Sequence, residues 1–388
     1  MKIKTILIIT AVILILSTLF LIFNSEPEII KITWEKNFGG KLNDDGWYVL
    51  TLDEGCITAG YSEKGENIKN RDIFLVRLNN NGEELWNRTY GGKGSDVAKA
   101  IIKNDSNSFI ILGSTTSYGK KNSNIWIIMI DNLGNEIWNK TYGGDGWDEG
   151  NGIISKNSDE FIIVGNTNSY GYGEDDIWLI NIDNEGKELW NKTYGGPKED
   201  IGRSIDIYEQ GYVIGGISSS YGNGGDDMWL LLVNETGFCI ANHTFGTDKN
   251  ERCNQVITTS DNNFLLIGHS IDKNQNWNAI CIKTTPYGIT KWEKTLDRNK
   301  ETGFSSCEEI SKGYIISGHI GSYGQGQNAL LMIFNENGKL ITEEIIKKDL
   351  DNAGVWINKK NNSTCYITGY KKIENEDYDL WIAEININ

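Results

Sequence analysis

A segment of about 52 residues recurs along the chain, and this period restricts the fold more than any other feature of the sequence. A tryptophan in the pattern W-N/E-K/R stands at Trp34, Trp86, Trp138 and Trp190, in steps of 52 residues. A second anchor, a glycine after an apolar run, appears seven times at intervals of 50 to 53 residues, which predicts seven units. These glycines are Gly60, Gly113, Gly165, Gly216, Gly268, Gly318 and Gly369.

Each unit contains four short apolar runs separated by turn residues. In the second unit they are VAKAIIK (97–103), FIILG (109–113), NIWIIMID (124–131) and EIWNKTY (136–142). The runs are rich in Ile, Val, Trp and Tyr and show no helical period, so they are predicted to be strands. NIWIIMID is apolar without alternation, which is expected of a strand buried on both faces. Four strands in each of seven units predict an all-β fold, a seven-bladed β-propeller of four-stranded blades.

The two ends of the repeat array are incomplete in a complementary way. Residues 29–38 match the Trp-bearing strand of a unit but lack the three strands that should precede it. Residues 352–388 supply three strands without a Trp-bearing strand after them. We predict that the N-terminal strand completes the last blade and closes the ring, which removes two open sheet edges. The propeller is therefore expected to occupy residues 29–388.

The N-terminal segment has a different character. Lys2 and Lys4 precede an uncharged run of 19 residues, from Thr5 to Phe23, which is long enough to cross a bilayer. Residues 1–24 are predicted to form one transmembrane helix, an uncleaved signal-anchor, with residues 25–28 as a short linker. The positive end stays in the cytoplasm, so the propeller is placed at the outer surface of the cell membrane. A cleaved signal peptide, which would release a secreted propeller, is the alternative.

Two motifs carry a resemblance to known repeats. The run W-x-K-x-F/Y-G-G followed by an acidic residue resembles the bacterial and archaeal seven-bladed β-propeller repeat. The link D-x-x-G-x-x-x-W, from Asp131 to Trp138 and from Asp183 to Trp190, is similar to the PQQ-like repeat of quinoproteins. The first resemblance implies the propeller fold, and the second would imply an oxidoreductase. The vicinal cysteine pair of those enzymes is missing from this sequence, so we expect no enzymatic activity.

The net charge restricts the class of binding partner, and the cysteine positions bear on disulfide formation. The formal net charge is −16, which argues against a nucleic-acid ligand because phosphate binding needs basic patches. The expected partner is a protein or a glycan, bound by a monomeric propeller. Six cysteines stand at positions whose predicted spacing across the blades is too wide for disulfides, so mostly free, buried thiols are expected.

Aromatic residues cluster in the turns that follow the second strand of each unit and in the Gly-Gly turns. Both kinds of turn lie on one face, which the position of residue 29 directs away from the membrane. Such residues either anchor a ligand or wedge between neighbouring blades. Trp147 and Tyr172 occur in one unit only and are the preferred anchors. The candidates that complete this set are Tyr118, Tyr170, Tyr221 and Tyr323.

Short polar residues open the first strand of each unit at Asp44, Asp96, Asp148, Asp200, Asn250, Glu301 and Asn352. They are predicted to cap turn amides. Calcium binding in the loops GYGEDD (171–176) and GNGGDD (222–227) is a weaker alternative, and so is a metal held by two histidines in one slot of adjacent units. No cofactor is predicted. The weak metal candidates are Asp175, Asp176, Asp226, Asp227, His269 and His319.

The sequence thus favours a membrane-anchored propeller that acts as a protein-interaction or cell-surface scaffold module. A lectin-like, carbohydrate-binding propeller is the alternative, and a quinoprotein-type or calcium-dependent enzyme is a further one. Asn-x-Thr sequons in the Trp-bearing strands are candidate glycosylation sites on an outward-facing protein. They are Asn87, Asn139, Asn191 and Asn242.

Overall fold

The structure, a computed structural model, describes residues 29–65, 70–105, 107–273, 275–298, 300–346, 351–373 and 377–388. These residues form 28 strands in seven antiparallel sheets of four strands each, which confirms the predicted seven-bladed propeller. The predicted signal-anchor (1–24) and linker (25–28) lie outside the described residues. Within the described ranges, no helix has the length and apolarity needed to span a membrane.

The first four blades each run from an inner to an outer strand in chain order. We call the four strands of a blade A to D from the channel outward. Blade 1 contains β2 (Asp44–Thr51), β3 (Cys56–Glu63), β4 (Arg71–Leu78) and β5 (Glu84–Tyr90); blade 2 contains β6 (Asp96–Lys103), β7 (Ser108–Thr115), β8 (Asn124–Asp131) and β9 (Glu136–Tyr142); blade 3 contains β10 (Asp148–Ser155), β11 (Glu160–Thr167), β12 (Asp176–Asp183) and β13 (Glu188–Tyr194); blade 4 contains β14 (Asp200–Tyr208), β15 (Gly211–Ser218), β16 (Asp227–Asn234) and β17 (Cys239–Phe245).

The hydrophobic core lies between blades, because each apolar cluster combines strands B and C of one blade with strands of the next. Both faces of the middle strands are therefore buried, as the non-alternating runs predict. The remaining strands continue this arrangement. Blade 5 contains β18 (Asn250–Thr258), β19 (Phe264–Ile271), β20 (Trp277–Thr284) and β21 (Thr290–Leu296); blade 6 contains β22 (Thr302–Ile310), β23 (Gly313–Ile320), β24 (Asn328–Phe334) and β25 (Leu340–Ile346); blade 7 contains β26 (Asn352–Asn361), β27 (Thr364–Lys372), β28 (Tyr378–Ile387) and β1 (Ile30–Phe38).

The ring is closed by β1, as the complementary ends of the repeat array predict. Strand β1 pairs antiparallel with β28 from Ile30 opposite Ile387 to Phe38 opposite Leu380. Ile30 is buried in the cluster between blades 6 and 7, and the backbone N–H of Asn388 donates to the carbonyl oxygen of Ile29 (2.8 Å). Both ends of the propeller therefore meet on one face, which we call the lower face. The Gly-Gly and Tyr-Gly turns form the opposite, upper face.

A β-bulge in every A strand explains the seven repeat glycines. In blade 3 the register shifts between Gly150 and Gly152, and the extra residue pushes the carbonyl of Glu149 toward strand B. A Cβ on Gly165 would lie 1.9 Å from that carbonyl oxygen, so only glycine fits there. The same conflict, at 1.8 to 2.1 Å, occurs in all seven blades. The bulged residues, which face the central channel, are Trp47, Lys99, Asn151, Arg203, Asn254, Ser305 and Val355.

The Trp-bearing outer strand contacts the next blade. The indole N–H of Trp86 donates to the carbonyl oxygen of Asn132 (3.0 Å), and the Tyr90 hydroxyl donates to that of Gly134 (2.6 Å). Gly134 has a φ of 79°, and a side chain there would collide with Arg88 and approach Trp86. The D-x-x-G-x-x-x-W link is therefore a contact between blades. Packing between blades therefore explains why the spacing of this link recurs along the chain.

The strand-opening carboxylates cap turns, as one of the two sequence interpretations proposes. Asp148 accepts hydrogen bonds from the Gly144 N–H (2.8 Å) and the Ser169 hydroxyl (2.6 Å), which joins the two upper turns of blade 3. Two of the predicted residues stand one position before this slot, although Asn250 does cap a turn amide, since its side chain accepts the Asp226 N–H (3.0 Å). The register places Glu251, and not Asn250, in this slot of blade 5, and Thr302, and not Glu301, in that of blade 6. In both blades the slot stands ten residues after the position of the anchor tryptophan, Ala241 and Trp292 here, as it does in the other blades. Residue type, and not spacing, therefore led to the two displaced predictions.

The six cysteines are free thiols in the structure. Five of them are buried: Cys56, Cys253, Cys281, Cys307 and Cys365. Cys239, on the outer strand β17, is half-buried. Burial raises the pKa of each buried thiol, so these side chains behave as small apolar groups of the core.

Candidate functional site in the central channel

An open cavity of about 630 Å³ occupies the upper mouth of the channel, between blades 1, 2 and 3. We call it the upper pocket. Its walls include the indoles of Trp47 and Trp147, and Trp147 is 54% exposed. The pocket combines an apolar lining with a few polar groups, as small-molecule sites do. The polar lining residues are Arg71, Ser95, Lys99, Ser114, Thr116, Ser123 and Glu149.

Lys99 is the most unusual side chain of the upper pocket. Its ammonium nitrogen lies 3.6 Å from the centroid of the Trp47 ring, a cation–π contact. Across the parts of the chain that the structure describes, it has no hydrogen bond and no ion pair within 4 Å. Burial lowers the pKa of Lys99 from 10.5 to about 8, with Glu149 acting in the opposite direction. The pocket thus contains an ammonium group without a direct counter-charge.

Other polar atoms around the pocket are also incompletely paired. Ser114 is 9% exposed, and its hydroxyl has no hydrogen-bond partner among the described residues. Asp45 accepts from the Trp47 indole N–H (2.8 Å) through one oxygen, while its other oxygen is buried without a partner in the described residues. Burial raises the pKa of Asp45 to about 7. Arg71 is held by Glu63 (3.2 Å) and lies over the Tyr61 ring (4.1 Å). The pocket and its surroundings therefore contain both a donor and an acceptor that are not paired within the described residues.

The predicted aromatic anchors lie on the upper face, and the structure separates them into two groups. Tyr118, Tyr170 and Tyr221 each donate a hydroxyl hydrogen bond to a Gly-Gly turn carbonyl (2.9 to 3.2 Å) and contact a strand C tryptophan of their own blade. These three therefore brace turns while 43 to 46% of each side chain stays exposed. Ligand binding by them stays a prediction.

The remaining anchors are placed differently. Tyr323 stacks on Tyr378 (5.0 Å between centroids) beside Tyr370, in an aromatic cluster of blades 6 and 7. Tyr172 is 78% exposed, with its backbone N–H bound to Asp176. Of the six predicted anchors, the structure brings only Trp147 into the upper pocket. Sequence reasoning missed Trp47 and Lys99, which the bulge directs into the channel.

The weak metal candidates are occupied by other contacts. Asp226 forms an ion pair with Arg252 (2.7 Å), Asp175 accepts from Asn166 (3.3 Å), and Asp227 caps the Asn223 N–H (2.9 Å). His269 stacks on Trp277, with centroids 4.2 Å apart, and Trp277 also contacts His319. Burial lowers the pKa of His269 to about 3 and that of His319 to about 4. In the described part of the chain, no group of three or more His, Cys, Asp or Glu residues is arranged for a metal ion.

The lower half of the channel holds a second cavity of about 240 Å³. Two carboxylates line it, Asp206 and Glu308, and burial raises the pKa of both. Asp206 accepts the Thr258 N–H of the next blade (2.7 Å), and Glu308 accepts from Asn358 (2.8 Å). The pKa of Glu308 rises from 4.5 to about 7, because desolvation outweighs the contacts with Asn358 and Lys359.

Replacing Glu308 by glutamine is expected to raise the melting temperature at about pH 8 and to leave it unchanged near pH 4. A raised folded-state pKa gives stability that is present below pH 4.5 and is lost as the pH rises through about 7. The neutral glutamine does not undergo this loss. Glu293→Gln, which makes the same charge change at an exposed position, is the control for thermal unfolding curves. An equal shift of both variants at every pH would contradict the assignment.

The candidate glycosylation sites lie on the outer strands, and all four asparagines are exposed. The Asn139 side chain accepts from the Trp126 indole N–H (3.2 Å) and donates to Glu136 (2.6 Å), and Asn191 makes the equivalent contacts. Asn87 donates to Glu84 (2.7 Å). These side chains support the blade edge, and glycan attachment stays a prediction.

No protein-family model and no curated protein sequence matches this chain. The resemblance to PQQ-like repeats is therefore not confirmed. Solved structures do match, at sequence identities that show the fold alone.

Three of these structures cover nearly the whole propeller. BBS1N, solved in complex with ARL6DN, matches with a TM-score of 0.53 and 10% identity over 93% of this chain and 97% of that chain. A protein of unknown function from Dyadobacter fermentans matches with a TM-score of 0.53 and 9% identity over 94% and 100%. The β-propeller domain of the Trilobed protease from Pyrococcus furiosus, described as having an open velcro topology, matches with a TM-score of 0.50 and 14% identity over 92% and 97%. In this chain, by contrast, β1 closes the ring.

Proposed function

We propose that this protein is an outward-facing recognition propeller that binds a small polar ligand, or the end of a larger one, in the upper pocket. The observation that carries the proposal is the pocket itself, an open cavity of about 630 Å³ with Trp47 and Trp147 in its walls. Its volume lies within the range of small-molecule sites, and two indoles beside hydroxyl groups suit the apolar face and hydroxyls of a sugar ring. The lectin-like alternative is thereby favoured over a flat protein-docking surface.

The proposed attachment to the membrane orients this pocket. Strand β1 starts at the lower face, so an N-terminal span at residues 1–24 would hold that face toward the bilayer and direct the pocket outward. The kinds of apolar side chain exposed on the two faces support this orientation. The strongly exposed apolar side chains of the lower turns include Leu133, Phe238 and Ile289, whereas the large exposed side chains in the described residues of the upper turns are Tyr and Trp.

Trp147→Ala is expected to lower saccharide binding by the full chain by at least about tenfold, because a half-exposed indole at a pocket wall is a typical binding hot spot. The measurement is binding of the full-length protein, in nanodiscs, to an array of saccharides. Tyr287→Ala, at an 81% exposed aromatic of the lower face, is the matched control and should bind as the wild type does. If Tyr287→Ala abolishes binding while Trp147→Ala does not, the pocket is not the site.

A protein-interaction scaffold is the second candidate. It is favoured by Tyr172, whose side chain is 78% exposed on the upper face of blade 3. A scaffold would leave the saccharide array blank. It would instead yield a crosslinked neighbour in whole cells that Tyr172→Ala removes and Tyr287→Ala retains. In both forms the proposal is binding without turnover, so a bound ligand should be recovered chemically unchanged.

A further inference from the structure

We infer that the ligand of the upper pocket carries a carboxylate on a sugar ring, as a hexuronate does, with the carboxylate at Lys99 and Ser114 and the ring against Trp147. The inference rests on the proposed function and names its ligand class. Three independent features of the pocket carry it. They are the ammonium of Lys99, the buried hydroxyl of Ser114 and the two indole walls.

Lys99 supplies a positive charge that an anion at the pocket can pair with. Its ammonium is held at 3.6 Å from the Trp47 ring centroid, and no carboxylate lies within ion-pair distance of it in the described chain. The charged groups that act on it are Glu149 and Asp45 on one side and Arg203 and Arg71 on the other. A ligand carboxylate would supply the missing hydrogen-bond acceptor and counter-charge in one group.

Ser114 provides the second contact. Ser114 lies on strand B of blade 2, one residue after Gly113, and pairs with Val97 of strand A. Its side chain lines the pocket. A buried hydroxyl without a partner costs free energy, so its presence at a cavity wall points to a ligand acceptor. In several other blades the residue of this slot contacts a neighbouring side chain, although the Nε2 atom of His269 also lacks a hydrogen-bond partner among the described residues. His269, for example, stacks on Trp277, and Asn166 donates to Asp175 (3.3 Å).

The residues in the walls of the pocket favour a ligand with a sugar ring. An indole stacks on the C–H face of a pyranose ring. The hydroxyl groups of the pyranose form hydrogen bonds with side-chain hydroxyls and carboxylates. Trp147 offers the stacking surface, while the side chains of Ser95 and Glu149 offer the polar partners. A simple fatty acid would satisfy Lys99 and leave these polar groups unpaired, which a site of this composition disfavours.

Isothermal titration of the full-length protein in nanodiscs tests the inference with four probes. They are methyl β-D-glucuronide, methyl α-D-galacturonide, methyl β-D-glucoside and acetate. We expect at least one uronide to bind about tenfold or more tightly than both the glucoside and acetate. Lys99→Met should remove this preference, and Lys103→Met, at the exposed lower end of the same strand, should keep it. Ser114→Ala should weaken the uronides and leave the glucoside unchanged.

The pH dependence separates an ion-pair role of Lys99 from a packing role. In the wild type, uronide affinity should fall as the pH rises above about 8, because the free protein then loses the Lys99 proton. Lys99→Arg should bind uronides without this fall, since arginine stays charged. Equal binding of uronide and glucoside overturns the inference while supporting the proposed function. Failure of all four probes, together with a blank saccharide array, overturns both.

Discussion

Deleting residues 29–38 is expected to destabilise the propeller by roughly 5 kcal/mol or more and to make it associate, which is the largest effect that we predict. The deletion removes the whole of β1 and therefore its antiparallel pairing with β28, which runs from Ile30 to Phe38. It exposes the cluster that buries Ile30 and leaves β28 with an unpaired edge, where another chain can add a strand. Thermal unfolding and sedimentation of the deleted chain against the full chain measure both effects.

A circular permutant is the matched control for this deletion. The N–H of Asn388 already bonds to the carbonyl oxygen of Ile29 (2.8 Å), so a short turn can join the two residues and start the chain at Gly40. Strand β1 then follows β28 as an ordinary hairpin. The permutant should recover the monomer and the stability that the deletion loses. A deleted chain as stable and monomeric as the full chain would show that β1 contributes nothing to closure.

Gly165→Ala is expected to destabilise the protein by about 3 kcal/mol, the second largest effect. The added Cβ would lie 1.9 Å from the carbonyl oxygen of Glu149 and 2.9 Å from its carbonyl carbon. These are backbone atoms of the bulge, and they cannot move aside as a flexible side chain can. The A strand of blade 3 must shift as a whole, which also displaces Trp147 and Glu149 at the upper pocket. Denaturant unfolding measures the loss of stability.

Gly40→Ala is the control, because a Cβ there meets nothing within 4 Å. The N–H of residue 40 still donates to the Asp44 carboxylate (2.7 Å). We expect the unfolding free energy of this variant to stay within about 0.5 kcal/mol of that of the wild type. If the two variants are equally stable, the close approach at the bulge does not determine the glycine. The repeat would then need another explanation.

The sequence predicts the architecture because its strongest signals are packing requirements that recur in each blade. The strand B glycine meets the same backbone carbonyl in all seven blades, and the Trp-bearing strand with the Gly134-type turn recurs in most of them. The closing strand could be predicted as well, because two incomplete units complement each other. Deviations begin where a slot changes its residue type, as at Glu251 and Thr302, because a polar neighbour then resembles the repeat more closely than the residue that occupies the slot.

The pocket could not be predicted by the same reasoning, since its defining residues are those that do not repeat. Trp47 and Lys99 occupy one slot of the bulge, which Asn151 and Arg203 fill in the next blades. A signal was nonetheless present in the sequence. The channel residue stands 13 or 14 positions before each repeat glycine, and reading that slot around the ring gives Trp, Lys, Asn, Arg, Asn, Ser and Val.

The direction of β1 determines how the protein would respond to tension. If the N-terminal segment anchors the chain and a ligand pulls on the upper pocket, the two forces act in opposite directions along the axis of β1. The hydrogen bonds between β1 and β28 lie perpendicular to that axis, so they are loaded in shear and resist together. A strand pulled sideways from its free end would instead unzip one bond at a time. If the N-terminal segment is an anchor, the placement of the closing strand would therefore let the propeller bear a force on a bound ligand without opening at β1.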